Sequence, residues 1–495
     1  MMKKSTSLSY LRFWLGVSAV LSSYFLLSAF AGRKTETMLD VRIFTPSPGD
    51  TVRLNKYNLK VRRKHRRFVD ASVTESAAAK MQEAGFAVAL RSAPPRNPTL
   101  PLAYKSIEEI VDTMQRLQAR FPDIVHLEKI GRSTTLGLPI WAARISDHAD
   151  ADEDEPTMLF MGVHHAREPI GANICLELMK QLCENYGRNP RFTTWVDAIE
   201  IWFVPVVNPD GYKYVYENNL GFPWWRKNLR DNDGDGIFNP LYDGVDLNRN
   251  YDYNWQEGGD GKPGSWFYRG RQPFSENETR AIMHLALREN FAIGISYHSY
   301  GESILFPWGN YKSPPDLDLI VDIAGAMAAH ITRESGRGNY SILPLNGRVG
   351  QSSIWMYGEL RTIDFIVEVG TEYFPPQRSV PSIVRENVRG AQYLLDRILE
   401  TGVKGHVFDE KTGAPLHATV EVRELAAPYV KPRAADGKFG SFYRILGPGV
   451  YTLEVKSQGY KTRVMRGVRV KKGQFVDLNI PLQRAKSLTN GRSTN

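Results

Sequence analysis

Residues 157–171 read TMLFMGVHHAREPIG, and the two halves of this stretch ask for different surroundings. From Thr157 to Val163 the chain is apolar; from His164 to Glu168 it carries two histidines, an arginine and a glutamate. The apolar half is short, with the acidic run DEDE at 152–155 before it and Pro169 beyond it, as in a strand buried inside an α/β sheet. Open α/β sheets place their sites at the carboxyl ends of strands. The polar half falls where a site would be. His165 and Glu168 are three residues apart, so one tight turn aims an imidazole and a carboxylate at a single point, as a His/His/Glu zinc site with an open position requires. Taken alone, that spacing favours a solvated turn with a surface ion pair. The rest of the chain decides between the two.

Outward from this stretch, residues 138–145, 199–207, 292–297 and 362–369 also read as strands. Between them lie helical stretches. Ser106 and Glu109 form a capping box before residues 107–120, and Pro169 opens a helix that runs to about Tyr186, with Gly187 as its stop. Ser275 and Glu278 box a third helix, and residues 315–334 and 380–400 supply two more. Strands alternating with helices predict one α/β domain over residues 104–401, with helices on both faces of its sheet. His165, Glu168, His298 and Glu368 all fall at strand ends. The turn signal Asn208-Pro209-Asp210-Gly211 closes another strand.

At 495 residues the chain is long enough for roughly three domains, and its flanks read differently from its centre. Residues 39–95 alternate as β-α-β-α-β, a small α+β unit (32–91) that reads equally as a removable pro-segment or a permanent accessory. Residues 92–103 are proline-rich and polar, a linker. After Gly402 come short alternating strands broken by Gly and Pro, a β-sandwich over 402–483, and then a polar tail, 484–495, expected to be disordered.

The first 31 residues have a basic start, an apolar stretch at 13–27 and small residues Ala29 and Ala31, the pattern of a signal peptide cut after Ala31. The apolar stretch is short and broken by serines, which weighs against an uncleaved anchor. The mature chain is therefore expected to be secreted or periplasmic, with no stable membrane span. Lys and Arg outnumber Asp and Glu by 63 to 54, and residues 62–67, RRKHRR, are the densest basic run. No aromatic interleaving accompanies that run, so a solvated strand or an exposed processing site is favoured over nucleic-acid binding. The two cysteines, Cys175 and Cys183, lie eight residues apart on one predicted helix, about 12 Å of rise, too far for a disulfide. Both read as core residues.

Seven short motifs then occur in order: H-A-R-E at 165–168, N-P-D-G at 208–211, W-R-K-N at 225–228, D-L-N-R-N at 246–250, P-F-S-E at 273–276, S-Y-H-S-Y at 296–300 and I-V-E-V-G at 366–370. With them the chain, from about Tyr104 to Leu399, resembles the zinc carboxypeptidases of the A/B type. The resemblance implies one Zn²⁺ per chain held by His165, Glu168 and His298, with Glu368 as general base and Arg226 stabilising the oxyanion. It implies that Asn248 and Arg249 grip the substrate's terminal carboxylate, and that Arg167 and Tyr300 line neighbouring subsites. The implied substrates are peptide or protein C-termini. Two other readings stand beside it: an amidase of cell-wall or γ-glutamyl peptides with the same chemistry, and a non-catalytic peptide- or glycan-binding protein. Retention of all four metal and base residues argues against the last. His164 is read as a neighbour of the site, because the family spacing uses the histidine three before the glutamate.

The chain also departs from the family. Asn346 stands where a mobile-loop tyrosine is usual, with Tyr340 and Tyr357 on either side. Ser353 and Gly309 occupy the two places that carry an acid in enzymes preferring basic C-terminal residues, which favours an apolar or aromatic C-terminal side chain over Lys or Arg and leaves a polar or broad preference open. Asp231, Asp233 and Asp235 lie in DNDGDG at 231–236, the opening of a calcium loop that lacks its closing glutamate. Calcium and a solvated acidic turn are equally good readings. The C-terminal unit resembles a transthyretin-like domain, for which packing or attachment is expected.

Overall fold

The computed structural model describes residues 38–44, 48–64, 68–84, 86, 88–90, 104–217, 224–308, 313–345 and 349–485. The expected leader (1–31) and linker (92–103), Gly309, Asn346 and the residues beyond 485 lie outside the described residues. Among the described residues, no helix is long and apolar enough to cross a membrane.

The central sheet has eight strands. In chain order they are β5 (Val125–Arg132), β6 (Pro139–Ile145), β7 (Thr157–Gly162), β8 (Glu200–Val204), β9 (Ile293–His298), β10 (Ser303–Phe306), β11 (Ser341–Pro344) and β12 (Ile363–Glu368), arranged β11-β10-β12-β9-β7-β8-β6-β5. The strands β12, β9, β7 and β8 run parallel, while β6 and β10 pair antiparallel with the ends of that group. This is the α/β class, with helices on both faces, expected from the sequence, and its sheet is mixed. Every residue of β7, β8 and β9 is buried, because helices cover both faces. Met158 and Phe160 of β7 join one core with helices Ile107–Arg120, Ile170–Asn185 and Val380–Ile398; Leu159 and Met161 join the opposite core with helix Asn277–Glu289. Each such side chain contributes about 1.5–3 kcal/mol by leaving water.

Cys175 and Cys183 are free and buried on helix Ile170–Asn185. The reading of Asn208–Gly211 as a simple turn needs correcting. Helix Pro209–Glu217 begins there, with Asn208 Oδ1 accepting the Gly211 N–H at 2.9 Å and the proline at the first helical position, where no N–H is needed.

The N-terminal unit is a sheet of order β2-β3-β1-β4 from β1 (Met38–Phe44), β2 (Lys60–Lys64), β3 (Phe68–Thr74) and β4 (Val88–Leu90), with helices Pro48–Leu54 and Glu75–Glu83. Periodicity does not reveal β2. Its sequence KVRRK is exposed throughout, so no alternation marks it, and its charges protect a sheet edge from further pairing. Part of the basic run is therefore a solvated strand, with Arg62 paired to Asp40 at 2.6 Å.

Beyond Gly402, strands Gly402–Asp409, Ser441–Ile445 and Phe475–Leu482 form one sheet. Strands Ala418–Val422, Arg433–Ala435, Gly449–Lys456 and Arg463–Val470 form a second. The two close over Val403, Val407, Val420, Phe442, Leu453 and Ile480. Arg444 pairs with the buried Asp316, and Tyr443 donates to Asp154 O at 2.7 Å, so this unit is tied to the central sheet's surroundings by polar contacts.

Candidate active site

The site forms where β7 and β9 run out. Helix Ile170–Asn185 crosses so close to β7 that a Cβ on Gly162 would lie 2.8 Å from the Gly171 carbonyl carbon, and only glycine permits that approach. The chain then turns through Val163, whose φ of 54° is rare for a branched residue and marks a backbone held by its surroundings. That turn points His165 and Glu168 towards the end of β9, where His298 sits.

The three side chains converge. His165 Nδ1 lies 2.9 Å from Glu168 Oε2, His298 Nδ1 lies 2.8 Å from the same oxygen, and the two Nδ1 atoms are 3.0 Å apart. All three residues are buried. Two imidazole nitrogens and a carboxylate oxygen meeting face to face form a group that could hold a metal ion. Two imidazoles plus one carboxylate is also the donor set of catalytic zinc sites, so the residues fit that ion. Their ionisation suits it too. Burial, then the neighbouring His165 charge, pushes His298 down to about 4, so it is neutral near pH 7. Burial alone would raise the Glu168 pKa, but the charge and hydrogen bonds of His165 and His298 outweigh it and hold the carboxyl well below its usual range.

Arg226 Nε donates to Asp246 Oδ2 at 2.9 Å, and its guanidinium reaches to 3.8 Å from Glu168 Oε1. The other oxygen of Asp246 lies 3.3 Å from His165 Nε2, so one buried carboxylate stands against both an arginine and a histidine. Asn248 and Arg249 follow on the same short turn, Leu247–Arg249, with Arg249 Nη1 donating to Asn248 O at 2.6 Å. Arg226 and Arg249 both flank the Phe267 ring, at 5.4 and 5.6 Å. Arg167 stacks over the Tyr373 ring at 4.1 Å, and Tyr300 meets the same ring edge-on at 4.8 Å.

Glu368 ends β12 and sits opposite His298 in the parallel register, one strand away. Gly301 makes room for it, since a Cβ there would come within 3.2 Å of Glu368 Cβ. A cavity of about 460 Å³ is lined by all nine residues named from the motifs: His165, Arg167, Glu168, Arg226, Asn248, Arg249, His298, Tyr300 and Glu368. Three arginines against two acids make it a receptacle for anions. Leu343, Leu305 and Ile366 stand level with one another on β11, β10 and β12, one side-chain step from the Glu368 row, and give the cavity an apolar wall.

Neither tyrosine beside position 346 faces this cavity. Tyr340 is buried and its hydroxyl accepts the Gly370 N–H at 3.0 Å; Tyr357 is buried and donates to Asp316. Ser353 is buried on helix Ser352–Leu360 and does not line the cavity. Sequence reasoning gave no role to Asp246, Ser296 or Tyr373. Asp246 stood inside the D-L-N-R-N motif and Ser296 inside S-Y-H-S-Y, so their place beside the site was legible even though their partners were not. The acidic loop differs from its reading: carboxylates of Asp231, Asp233 and Asp243 come together, whereas Asp235 Oδ1 accepts the Ile237 N–H at 2.7 Å.

The zinc carboxypeptidase family model matches residues 110–390, and the carboxypeptidase regulatory-like domain matches residues 402–483. The chain belongs to the zinc carboxypeptidase family. Human carboxypeptidase D is 24% identical over 403 residues, covering 77% of this chain and 27% of that protein. A zinc carboxypeptidase of Saccharothrix mutabilis subsp. capreolus is 33% identical over 217 residues, covering 42% of this chain and 47% of its own length. The chain thus spans between about a quarter and a half of these two relatives. The crystal structure of carboxypeptidase A from Helicoverpa armigera superposes with a TM-score of 0.56 over 73% of this chain and 97% of that one, at 22% identity, a likeness of fold.

Proposed function

We propose that this zinc carboxypeptidase family member removes C-terminal residues from peptides, using water activated at a zinc ion. The observation that carries the reading is the convergence of His165, Glu168 and His298 in one cavity with Glu368 and three arginines. Bound zinc would lower the pKa of its water to about 7 and polarise the scissile carbonyl. Glu368, one strand from His298, accepts the water's proton and returns it to the leaving amine. Arg226, held by Asp246, stabilises the negative oxygen that develops on the former carbonyl. Asn248 and Arg249 take the substrate's terminal carboxylate, the guanidinium bidentately, and so select a chain end over a chain middle. Arg167 and Tyr300 flank the residues on the amine side.

The leader-like residues 1–31 support an extracytoplasmic place of action. The N-terminal unit supports a pro-segment reading by its place at the rim: Leu39 packs with Trp224 and Tyr373, and Trp266 Nε1 donates to Phe86 O at 2.7 Å. A calcium ion held by Asp231, Asp233 and Asp243 would brace the loop between Arg226 and Asp246. Calcium should then raise the melting temperature of the parent but not of Asp243→Asn.

The test is a peptide library read for release of single C-terminal residues, with and without chelator and on Glu368→Gln. Release should be abolished by chelation, and the variant should lose about 10²–10⁴-fold in kcat while keeping its zinc. Stoichiometric zinc without release from any peptide would refute the assignment, and release only from muropeptides would move it to an amidase.

A further inference from the structure

His165 and His298 present the same nitrogen, Nδ1, to the shared point, so each must settle its other nitrogen elsewhere. A neutral imidazole that gives Nδ1 to a metal carries its proton on Nε2, and that N–H needs an acceptor. For His165 the acceptor is at hand in Asp246. For His298 no carboxylate is placed there among the described residues. Its Nε2 faces two groups, Ser296 Oγ at 3.1 Å and Asn248 Nδ2 at 3.2 Å. The amide cannot serve by turning over, because Asn248 Oδ1 is committed to the Ser352 N–H at 3.0 Å. Among the described residues, Ser296 Oγ is the group left to accept.

Ser296 is fully buried two residues before His298 on β9, on the same face of the strand. Its oxygen also lies 3.0 Å from His164 Nδ1, and His164 Nε2 lies 3.0 Å from the Tyr251 hydroxyl. The His164 and His298 rings are nearly parallel, 19° apart, at 5.5 Å. Resting on the proposed metal site, we infer that Ser296 and His164 are positioning residues: Ser296 Oγ accepts from His298 Nε2, and His164 fixes the direction of that hydroxyl. With its proton donated to His164 Nδ1, the serine turns a lone pair towards His298. His164 in turn donates from Nε2 to Tyr251. The two zinc histidines are thus oriented differently, one by a carboxylate and one by a neutral chain of hydroxyl, imidazole and phenol. The histidine beside the H-A-R-E motif belongs to the metal site without touching the metal.

The experiment is zinc affinity by chelator competition on the full chain and on Ser296→Ala, His164→Phe and the double variant, with the fold checked by circular dichroism. Cobalt(II) spectra of the same proteins report ligand geometry independently of activity. Ser296→Ala should weaken zinc about 10–100-fold, the usual consequence of losing an outer partner of a metal ligand. His164→Phe should weaken it in the same direction, and the double variant no more than Ser296→Ala alone, because His164 acts through that hydroxyl. Cobalt bands should shift in both single variants. Should Ser296→Ala fail to fold, His164→Phe alone decides. Variants that hold zinc within about threefold of the parent, or losses that add in the double variant, overturn the relay while leaving the metal site standing. A parent that takes up no zinc overturns both.

Discussion

Asp364 offers a measurement of how deeply the catalytic sheet is sealed. It lies on β12 four residues before Glu368, is fully buried, and neither carboxylate oxygen has a hydrogen-bond partner among the described residues. Its side chain occupies the space left by Gly294 on β9, where a Cβ would stand 2.6 Å from Asp364 Oδ1. Burial without a partner holds its pKa well above the usual carboxylate range. The native state therefore keeps this proton at pH values where the unfolded chain, with a pKa of about 3.9, has lost it. Stability therefore falls as pH rises above that value, by about 1.4 kcal/mol for each pH unit over which the native carboxyl keeps its proton. Asp364→Asn keeps the shape and cannot ionise, so it removes this slope. Thermal unfolding of parent and variant should give similar midpoints near pH 4 and diverge upward in pH, the variant gaining a few degrees for each pH unit over which the parent's carboxyl stays protonated. Midpoints that stay parallel from pH 4 to 8 would mean that Asp364 is ionised in the native state and has a partner, and would refute the reasoning.

Two further perturbations separate the groups around the cavity. Asp246→Asn removes the charge that holds both Arg226 and His165, so zinc affinity should fall about 10–100-fold and kcat should fall with zinc saturating; chelator competition and steady-state kinetics check the two parts. Arg249→Lys keeps the charge but loses the planar fork, so KM for peptides should rise about 10–100-fold with kcat little changed. An unchanged KM would remove Arg249 from carboxylate binding.

The parts of this protein that were legible in the sequence share a physical property. β7 declared itself because six apolar residues in a row, 158–163, have nowhere to go but the interior, and the site declared itself because polar and charged residues follow directly on that run. Helix Ile107–Arg120 was readable from its capping box, which closes with Ser106 accepting the Glu109 N–H at 3.1 Å and Glu109 accepting the Ser106 N–H at 2.7 Å. What stayed hidden lacked such local signals. Strand β2 has no buried face to produce alternation. Helix Pro209–Glu217 looked like a turn because capping residues and turn residues are the same types. Partners such as Asp246 for Arg226, or Ser296 for His164, are 20 and 132 residues apart in sequence, and only the tertiary fold brings them together.

That separation explains how so polar a site survives inside a sheet. His164, His165, Glu168, Asp246, Asn248, Ser296 and His298 are all buried, and a buried polar group without a partner is costly. Each has at least one partner on a different segment: β7 supplies the turn, β9 the second histidine, the Leu247–Arg249 turn the asparagine, and helix Ser352–Leu360 the N–H that fixes it. The pairs between segments cannot form without the strands already in register, and a one-residue slip of β12 against β9 would turn Glu368 to the other face. The metal-binding and acid–base geometry is therefore a property of the completed sheet and not of any segment. Destabilising β9 or β12 far from the cavity should impair zinc binding in step with folding, whereas removing Glu368, at the cavity's half-exposed end, should leave zinc binding intact.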